Sequence, residues 1–301
     1  MSTAADRKSQ PLEFENLVLT ESQRGLWYRF TRHRLSLLGI AIVAVFTIGA
    51  VFAPWIGVHN PDAVDLDHIK NAPTLSHIMG TDSVGRDVFS RLLHGSRITL
   101  GIALVALLIA VGIGTLIGLI SGFLRGWVDN VLMRFTELVM TFPILFALII
   151  LVAVFGGSIV NITIAIGFLG WMGIARLVRG QTLAVREMEF VTAARALGAS
   201  DRRVIFLHIL PEIMPYVAVA GTLGLASAIL IEAALNFLGL GVQIPTATWG
   251  NMMTAAQSLH VLKKQPWLWL PPGVAISMTV LAVNFIGEGL RDALDPRIQI
   301  D

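Results

Sequence analysis

The sequence has no cysteine, few charges and no recognisable nucleotide-binding or catalytic signature. Without cysteine there is no disulfide, no thiolate metal ligand and no thiol redox centre. Charged residues make up 14% of the 301 positions, where a soluble domain carries about 25%. That shortage, with 55% hydrophobic residues and a mean hydropathy of +0.74, excludes an ordinary soluble protein and indicates a polytopic membrane protein. No G-x-x-x-x-G-K-[ST] occurs, so any ATP used must be hydrolysed by another chain. No H-E-x-x-H, nucleophile elbow or metal-ligand spacing is present, so neither an enzyme nor a metal site is expected. His33, His59, His68, His77, His94, His208 and His260 are scattered, and read as solvated or packing side chains. The net charge is +2, with no basic patch interleaved with aromatics of the kind that binds nucleic acid.

What is abundant is apolar sequence in runs long enough to span a bilayer, which needs about 20 residues each. Six such runs are expected, at 35–58, 98–124, 129–155, 159–175, 213–235 and 267–286. The segment before them is polar and mixed in charge, unlike a cleavable signal, so the first span is expected to be its own insertion signal. Just ahead of it, RGLWYRFTRHR mixes Trp27, Tyr28 and Phe30 with arginines. This suits an interfacial helix, and equally an ordinary basic flank. Gly114, Gly118 and Gly122 recur every four residues in the second span, which places them on one helix face for close helix–helix approach. Pro143 reads as a packing kink in the third span. Trp249, Trp267 and Trp269, between the fifth and sixth spans, suit an interface.

Six spans put both termini on one side. Of the 22 Lys and Arg residues, 16 fall on that side, and Lys70, Arg86, Arg91, Arg97, Lys263 and Lys264 fall on the other. The positive-inside bias therefore makes the termini cytosolic. The expected organisation is a cytosolic tail and interfacial segment at 1–34, a first span at 35–58, an external loop at 59–95, a five-helix core at 96–290 with a cytosolic loop at 186–212, and a tail at 291–301.

That cytosolic loop is the most informative stretch. FVTAARALGASDRRVIFLHILP, 190–211, predicts a short helix over 193–197 with a small-residue face, a stop at Gly198 and a new helix beginning at Pro211. Thr192-Ala193-Ala194, three residues, Gly198, nine residues, then His208-Ile209-Leu210-Pro211 resembles the Glu-Ala-Ala loop of bacterial ATP-binding-cassette importer permeases. Thr192 replaces the glutamate and His208 an isoleucine, departures similar to those of the peptide-permease branch. GTDSVGRD at 80–87, NFLGLG at 236–241 with the later Trp249-Gly250, and GEGLRDALDP at 287–296 resemble the same branch, in order, over nearly the whole chain. Glu212 stands where that branch more often has Asn, and Asn236 where it more often has Ser.

The resemblance is to the C-type permease subunit of dipeptide and oligopeptide importers. It implies an all-α, type I importer-like fold in a bacterial inner membrane. The implied partners are a homologous second permease, two ATPase subunits that use ATP and Mg²⁺, and an external solute-binding protein. Thr192, Ala193, Ala194, Arg195, Gly198, Ala199, His208, Leu210 and Pro211 would then form the loop on which an ATPase docks.

Glu137 and Glu232 are candidates for the translocation path, since an intramembrane carboxylate is costly and by default functional, and the polar Asn284 is a third candidate. Both glutamates also have a structural reading, with Arg134 one turn from Glu137 as a partner. For GTDSVGRD, a pathway cap, a partner contact, a receptor for the binding protein and a self-satisfied loop in which Asp82 or Asp87 pairs with Arg86 all fit. Two rival functions are an ion-coupled secondary transporter using Glu137 and Glu232, and a membrane enzyme or scaffold. The first lacks a visible inverted repeat and the second a convergent catalytic set.

Overall fold

The computed structural model describes residues 33–294, and contains no β-strand among them. The expectations for 1–32, including the segment with Trp27, Tyr28 and Phe30, and for 295–301 lie outside the described residues. The principal helices are α1 (Arg34–Val51), α2 (Val88–Leu124), α3 (Gly126–Met140), α4 (Ile144–Phe155), α5 (Ile159–Val185), α6 (Glu189–Ala196), α7 (Leu210–Phe237), α8 (Trp249–Met252), α9 (Leu259–Lys264) and α10 (Leu270–Leu294). Helices α1, α2, α5, α7 with its lead-in, and α10 are each long and apolar enough to cross a membrane. Helices α3 and α4 are apolar enough only as a pair, bent by 81° at their break, in the manner of a broken span or a re-entrant loop. The chain is a multi-pass, all-helical membrane protein.

The helix limits follow local chemistry that hydropathy does not register. Helix α2 starts ten residues before the apolar run at 98–124, because Asp87 Oδ2 accepts from the Ser90 N–H at 2.7 Å and caps it. Arg91 and His94 therefore stand on a helix, inside the 59–95 stretch read as loop. Arg176 and Arg179 do not end α5, which continues to Val185. The first span stops at Val51, and Ala53–Ile56 forms a separate turn. Pro143 does more than kink the third span. It lacks an N–H, and it disfavours helical backbone at Phe142, so the helix ends at Met140 and restarts at Ile144. Pro211 does not start α7 either. The chain is already helical at Asp201–Arg203 and passes through a π-turn at Val204–Ile209, which accommodates the missing donor.

Helix α5 packs closely along the C-terminal part of α2, and the glycine face explains why. A Cβ on Gly114 would lie 2.7 Å from the Trp171 carbonyl oxygen, one on Gly118 2.6 Å from that of Ala175, and one on Gly122 2.7 Å from Thr182 Cβ. Only hydrogen at these positions lets the two backbones meet, which is how small residues drive association in lipid. Helix α5 is the central post, with 56% of its apolar window buried in the chain, against 17% for the peripheral α1. The closing block of the chain packs by the same device. A Cβ on Gly289 would fall 1.7 Å from Ser36 Oγ of α1, and one on Gly287 would fall 2.3 Å from Thr222 Oγ1 of α7.

At the end of the bundle opposite α6, Trp249 is fully buried, which corrects its reading as an interfacial residue. Its Nε1–H donates to the Leu92 carbonyl at 3.2 Å, and its ring meets Phe46 edge-on at 5.3 Å. It therefore joins α1, α2 and α8. Thr248 and Asn251 form a reciprocal capping box around α8, both bonds 3.0 Å, holding the tryptophan in place.

Candidate coupling loop and translocation cleft

The loop between α5 and α7 has the expected short helix and Gly198 stop, but the helix is longer than expected and Pro211 lies inside a helical run. Helix α6 covers Glu189–Ala196, and Gly198 takes φ +83°. The Gly198 N–H bonds the Arg195 carbonyl at 2.9 Å, and the Ala199 N–H bonds that of Ala194 at 3.0 Å. A left-handed residue at this place satisfies the last carbonyls of the helix and turns the chain back. A Cβ on Gly198 would meet nothing within 4 Å, so the tight requirement there is conformational.

The two faces of α6 differ. Val191 is fully buried against Val185, Val204, Ile209 and Ile213, a cluster that includes Phe123 at the end of α2. Thr192 and Ala193 are exposed, Ala194, Arg195 and Ala199 half-buried, and Leu197 is 89% exposed. His208 and Leu210 are half-buried and Pro211 is exposed, in the lead-in to α7. The His208 ring lies 6.5 Å from that of Phe190. The structure thus gathers the sequence-predicted loop residues into one surface element with an anchored side and an open side.

The anchor is electrostatic as well as apolar. Arg195 lies 4.8 Å from the Phe123 ring centre, and Arg186 lies 5.6 Å from it while donating to the Phe123 carbonyl. Burial, and then the like charges of Arg125 and Arg195, hold the Arg186 pKa below its ordinary value. Arg125 at the end of α2 pairs with Glu187 at 2.6 Å. Arg179 of α5 grips Asp129 of α3 with two bonds of 2.5 and 2.6 Å, and Ser121 of α2 donates to the same carboxylate. Such forked contacts fix orientation as well as distance. The α6 loop is therefore tied to the end of α2, and Asp129 in turn ties α3 to α2 and α5. None of Asp129, Arg179 and Phe123 stood out in the sequence, because their pairing spans 50 residues or more.

The path candidates fall in different places. Glu232 is fully buried on α7, where its Oε1 accepts from Asn236 Nδ2 at 2.6 Å and its Oε2 lies 3.5 Å from Thr99 Oγ1 of α2. Asn236 Oδ1 in turn accepts from the Val242 N–H at 2.7 Å, and Thr99 Oγ1 accepts from the Trp249 N–H at 3.1 Å. In this arrangement the carboxylate pins the NFLGLG segment and Trp249 to the bundle. Glu137 is exposed and pairs with Arg134 at 3.1 Å. Asn284 is half-buried on α10. None of the three lines the cleft of about 640 Å³ between α2, α5 and α7, whose walls include Ala110, Gly173, Leu223 and Ser227. Phe142 and Pro143, at the α3–α4 break, open onto it.

The GTDSVGRD loop is self-satisfied. Asp82 accepts from the N–H groups of Val84 and Arg86 at 2.9 and 3.0 Å, and from Arg86 Nε at 2.7 Å. The histidines read as solvated or packing are not all dispersed. His59, His77 and Asp87 bring one donor atom each within 4.8 Å of the others. Separations of 18 and 10 residues match no metal motif, which is why the spacing did not reveal the group.

Comparison with known proteins agrees with this architecture. Residues 114–300 match the family described as binding-protein-dependent transport system inner membrane component, and residues 24–73 match the N-terminal TM domain of oligopeptide transport permease C. A putative peptide permease protein of Brucella suis is 41% identical over 273 residues, covering 91% of this chain and 90% of that protein. The oligopeptide transport system permease protein OppC of Haemophilus influenzae is 39% identical over 311 residues, covering 97% and 99%. The glutathione transport system permease protein GsiD of Escherichia coli is 40% identical over 274 residues, covering 91% and 90%. The bent α3–α4 pair, the anchored α6 loop and these matches lead to one conclusion: the chain belongs to the inner membrane components of binding-protein-dependent transport systems, and is a non-catalytic permease subunit of an ATP-binding-cassette importer.

Proposed function

We propose that this subunit imports peptides or closely related solutes across a bacterial inner membrane, paired with a homologous second permease. Two separate ATPase subunits, using ATP and Mg²⁺, would dock on α6, and an external binding protein would deliver cargo at the opposite end. Both termini and α6 lie on the cytosolic side in this reading, in line with the 16-to-6 distribution of basic residues. The cargo class rests on the named relatives, which serve peptides, oligopeptides and glutathione, all built on amide-linked amino acids.

The observation that carries the coupling role is the two-faced α6, with Leu197 89% exposed and Val191 fully buried. When the ATPases close, a force applied at Leu197, Ala193 and Thr192 passes through Arg195, Phe123 and the Asp129–Arg179 fork into α2, α3 and α5 together. Rigid-body movement of that group is a recognised way to switch which side a cleft faces. The 640 Å³ cleft is the part of the pathway this chain supplies, with its other wall on the second permease. Glu232 and Glu137 serve the frame of the bundle, each already engaged by its neighbours.

The test is purification of the tagged chain from native membranes in mild detergent. A Walker-motif ATPase and a second permease should come with it, and the ATPase should be lost on Leu197→Glu. A chain that emerges alone and transports in liposomes on an ion gradient refutes the proposal.

A further inference from the structure

The bundle end opposite α6 holds a side-chain group to which the transport reading assigns no role. His59 follows the turn after α1, His77 sits in the long loop, and Asp87 caps α2, so three separate segments converge. The rings of His59 and His77 lie 4.7 Å apart, and that of His68 is 5.9 Å from His77. The side chains of Asp87 and His77 are 3% and 12% exposed, and the candidate donor atoms of His59, His77 and Asp87 all fall within 4.8 Å. The roles of the carboxylate oxygens are divided. Oδ2 is occupied by the Ser90 N–H at 2.7 Å, while Oδ1 faces His77 Nδ1 at 3.0 Å. Ser90 also accepts, through Oγ, from the His59 N–H at 3.3 Å. One residue of the first turn of α2 thus helps to place two of the three donors.

We propose that His59, His77 and Asp87 form a binding site for a first-row divalent transition metal of the Zn²⁺ type, with water in the fourth position. Two imidazoles and one carboxylate are a recurring three-ligand set for such ions, whereas Ca²⁺ and Mg²⁺ select oxygen donors. Bonds of about 2.0–2.2 Å in a tetrahedron put donor atoms roughly 3.3–3.5 Å apart. The present spread of up to 4.8 Å would have to close to that range on binding. The Ser90 N–H on Oδ2 supplies the outer hydrogen bond that orients a ligating carboxylate. When bound, the ion would staple the chain leaving α1, the loop and the start of α2 into one unit. This site is independent of the transport reading.

The experiment uses the intact transporter carrying a histidine-free affinity tag, stripped with chelator, desalted and equilibrated with Zn²⁺ alone. Metal content after dialysis is measured for the wild type and for His59→Gln, His77→Gln and Asp87→Asn. The last keeps an oxygen for the helix cap. His260→Gln, at an exposed position, is the control. The wild type and the control should hold one Zn²⁺ per chain more than the His59 and His77 variants, with affinity reduced at least tenfold in Asp87→Asn. Equal Zn²⁺ in the wild type and all variants overturns the site, and leaves an ordinary His–Asp hydrogen bond. If the variants fail to assemble, Co²⁺ added to the stripped wild type decides. Visible ligand-field absorption of tetrahedral Co²⁺ that Zn²⁺ displaces supports the site, and its absence refutes it.

Discussion

Replacing Gly118 with alanine tests the α2–α5 seam with a single methyl group. That methyl would lie 2.6 Å from both the Ala175 carbonyl oxygen and Val178 Cβ. It falls roughly 0.8 Å inside ordinary van der Waals contact. One of the two obstacles is backbone and the other the root of a β-branched side chain, so neither can swing aside. The helices must separate, and the neighbouring contacts at Gly114 and Gly122 loosen with them. Overpacking of this kind costs about 1–3 kcal/mol. The intrinsic helical gain from Gly to Ala, about 0.5–1 kcal/mol, offsets part of that. Gly101, Gly112 and Gly173 provide the internal control, since a Cβ on any of them meets nothing within 4 Å. The assay is the fraction of solubilised transporter that stays monodisperse after brief heating, followed by the tag on this chain. Gly118→Ala should lower the midpoint, and the three control substitutions should leave it unchanged or raise it. Gly118→Ala combined with Gly122→Ala should cost less than the sum of the two, because one separation relieves both clashes. A Gly118→Ala protein as stable as Gly112→Ala would mean that the seam does not depend on close backbone approach at this position.

Three further outcomes are expected. Asp129→Asn breaks the fork to Arg179 and should destabilise the chain by about 1.5–3 kcal/mol, read by the same heating assay, with partial recovery when Arg179→Gln is added. Glu232→Gln, which keeps an oxygen for Asn236, should leave the KM for peptide uptake unchanged, while Glu232→Ala should lower stability by about 1–3 kcal/mol; a tenfold KM change with the glutamine would return Glu232 to the pathway. Gly198→Trp should abolish uptake while the chain still inserts, as followed by membrane fractionation, and normal uptake would remove the docking role of the loop.

The glycine seam was legible because a four-residue repeat on a helix has one geometric meaning. So was the turn at Gly198, where sequence and the observed φ of +83° agree. Trp249 was not, since a loop tryptophan looks the same whether it floats at an interface or plugs a core. The separation of α3 from α4 was half visible. Pro143 announced a disturbance, but its size depends on Phe142 losing helical backbone as well. Charge partners such as Asp129 and Arg179, and the His59–His77–Asp87 group, arise only when distant segments meet. The buried setting of Glu232 is a further case, fixed by Thr99 on another helix and a loop hydrogen bond to Asn236.

The α3–α4 break has a consequence for the life of the subunit in the cell. Thr141, Phe142 and Pro143 are all exposed on this chain, at the bend of 81° between the two helices. Irregular backbone at membrane depth is tolerated where protein or water covers it, and not against lipid tails. Were the proposed second permease the cover, a copy inserted without it would leave this break against lipid tails.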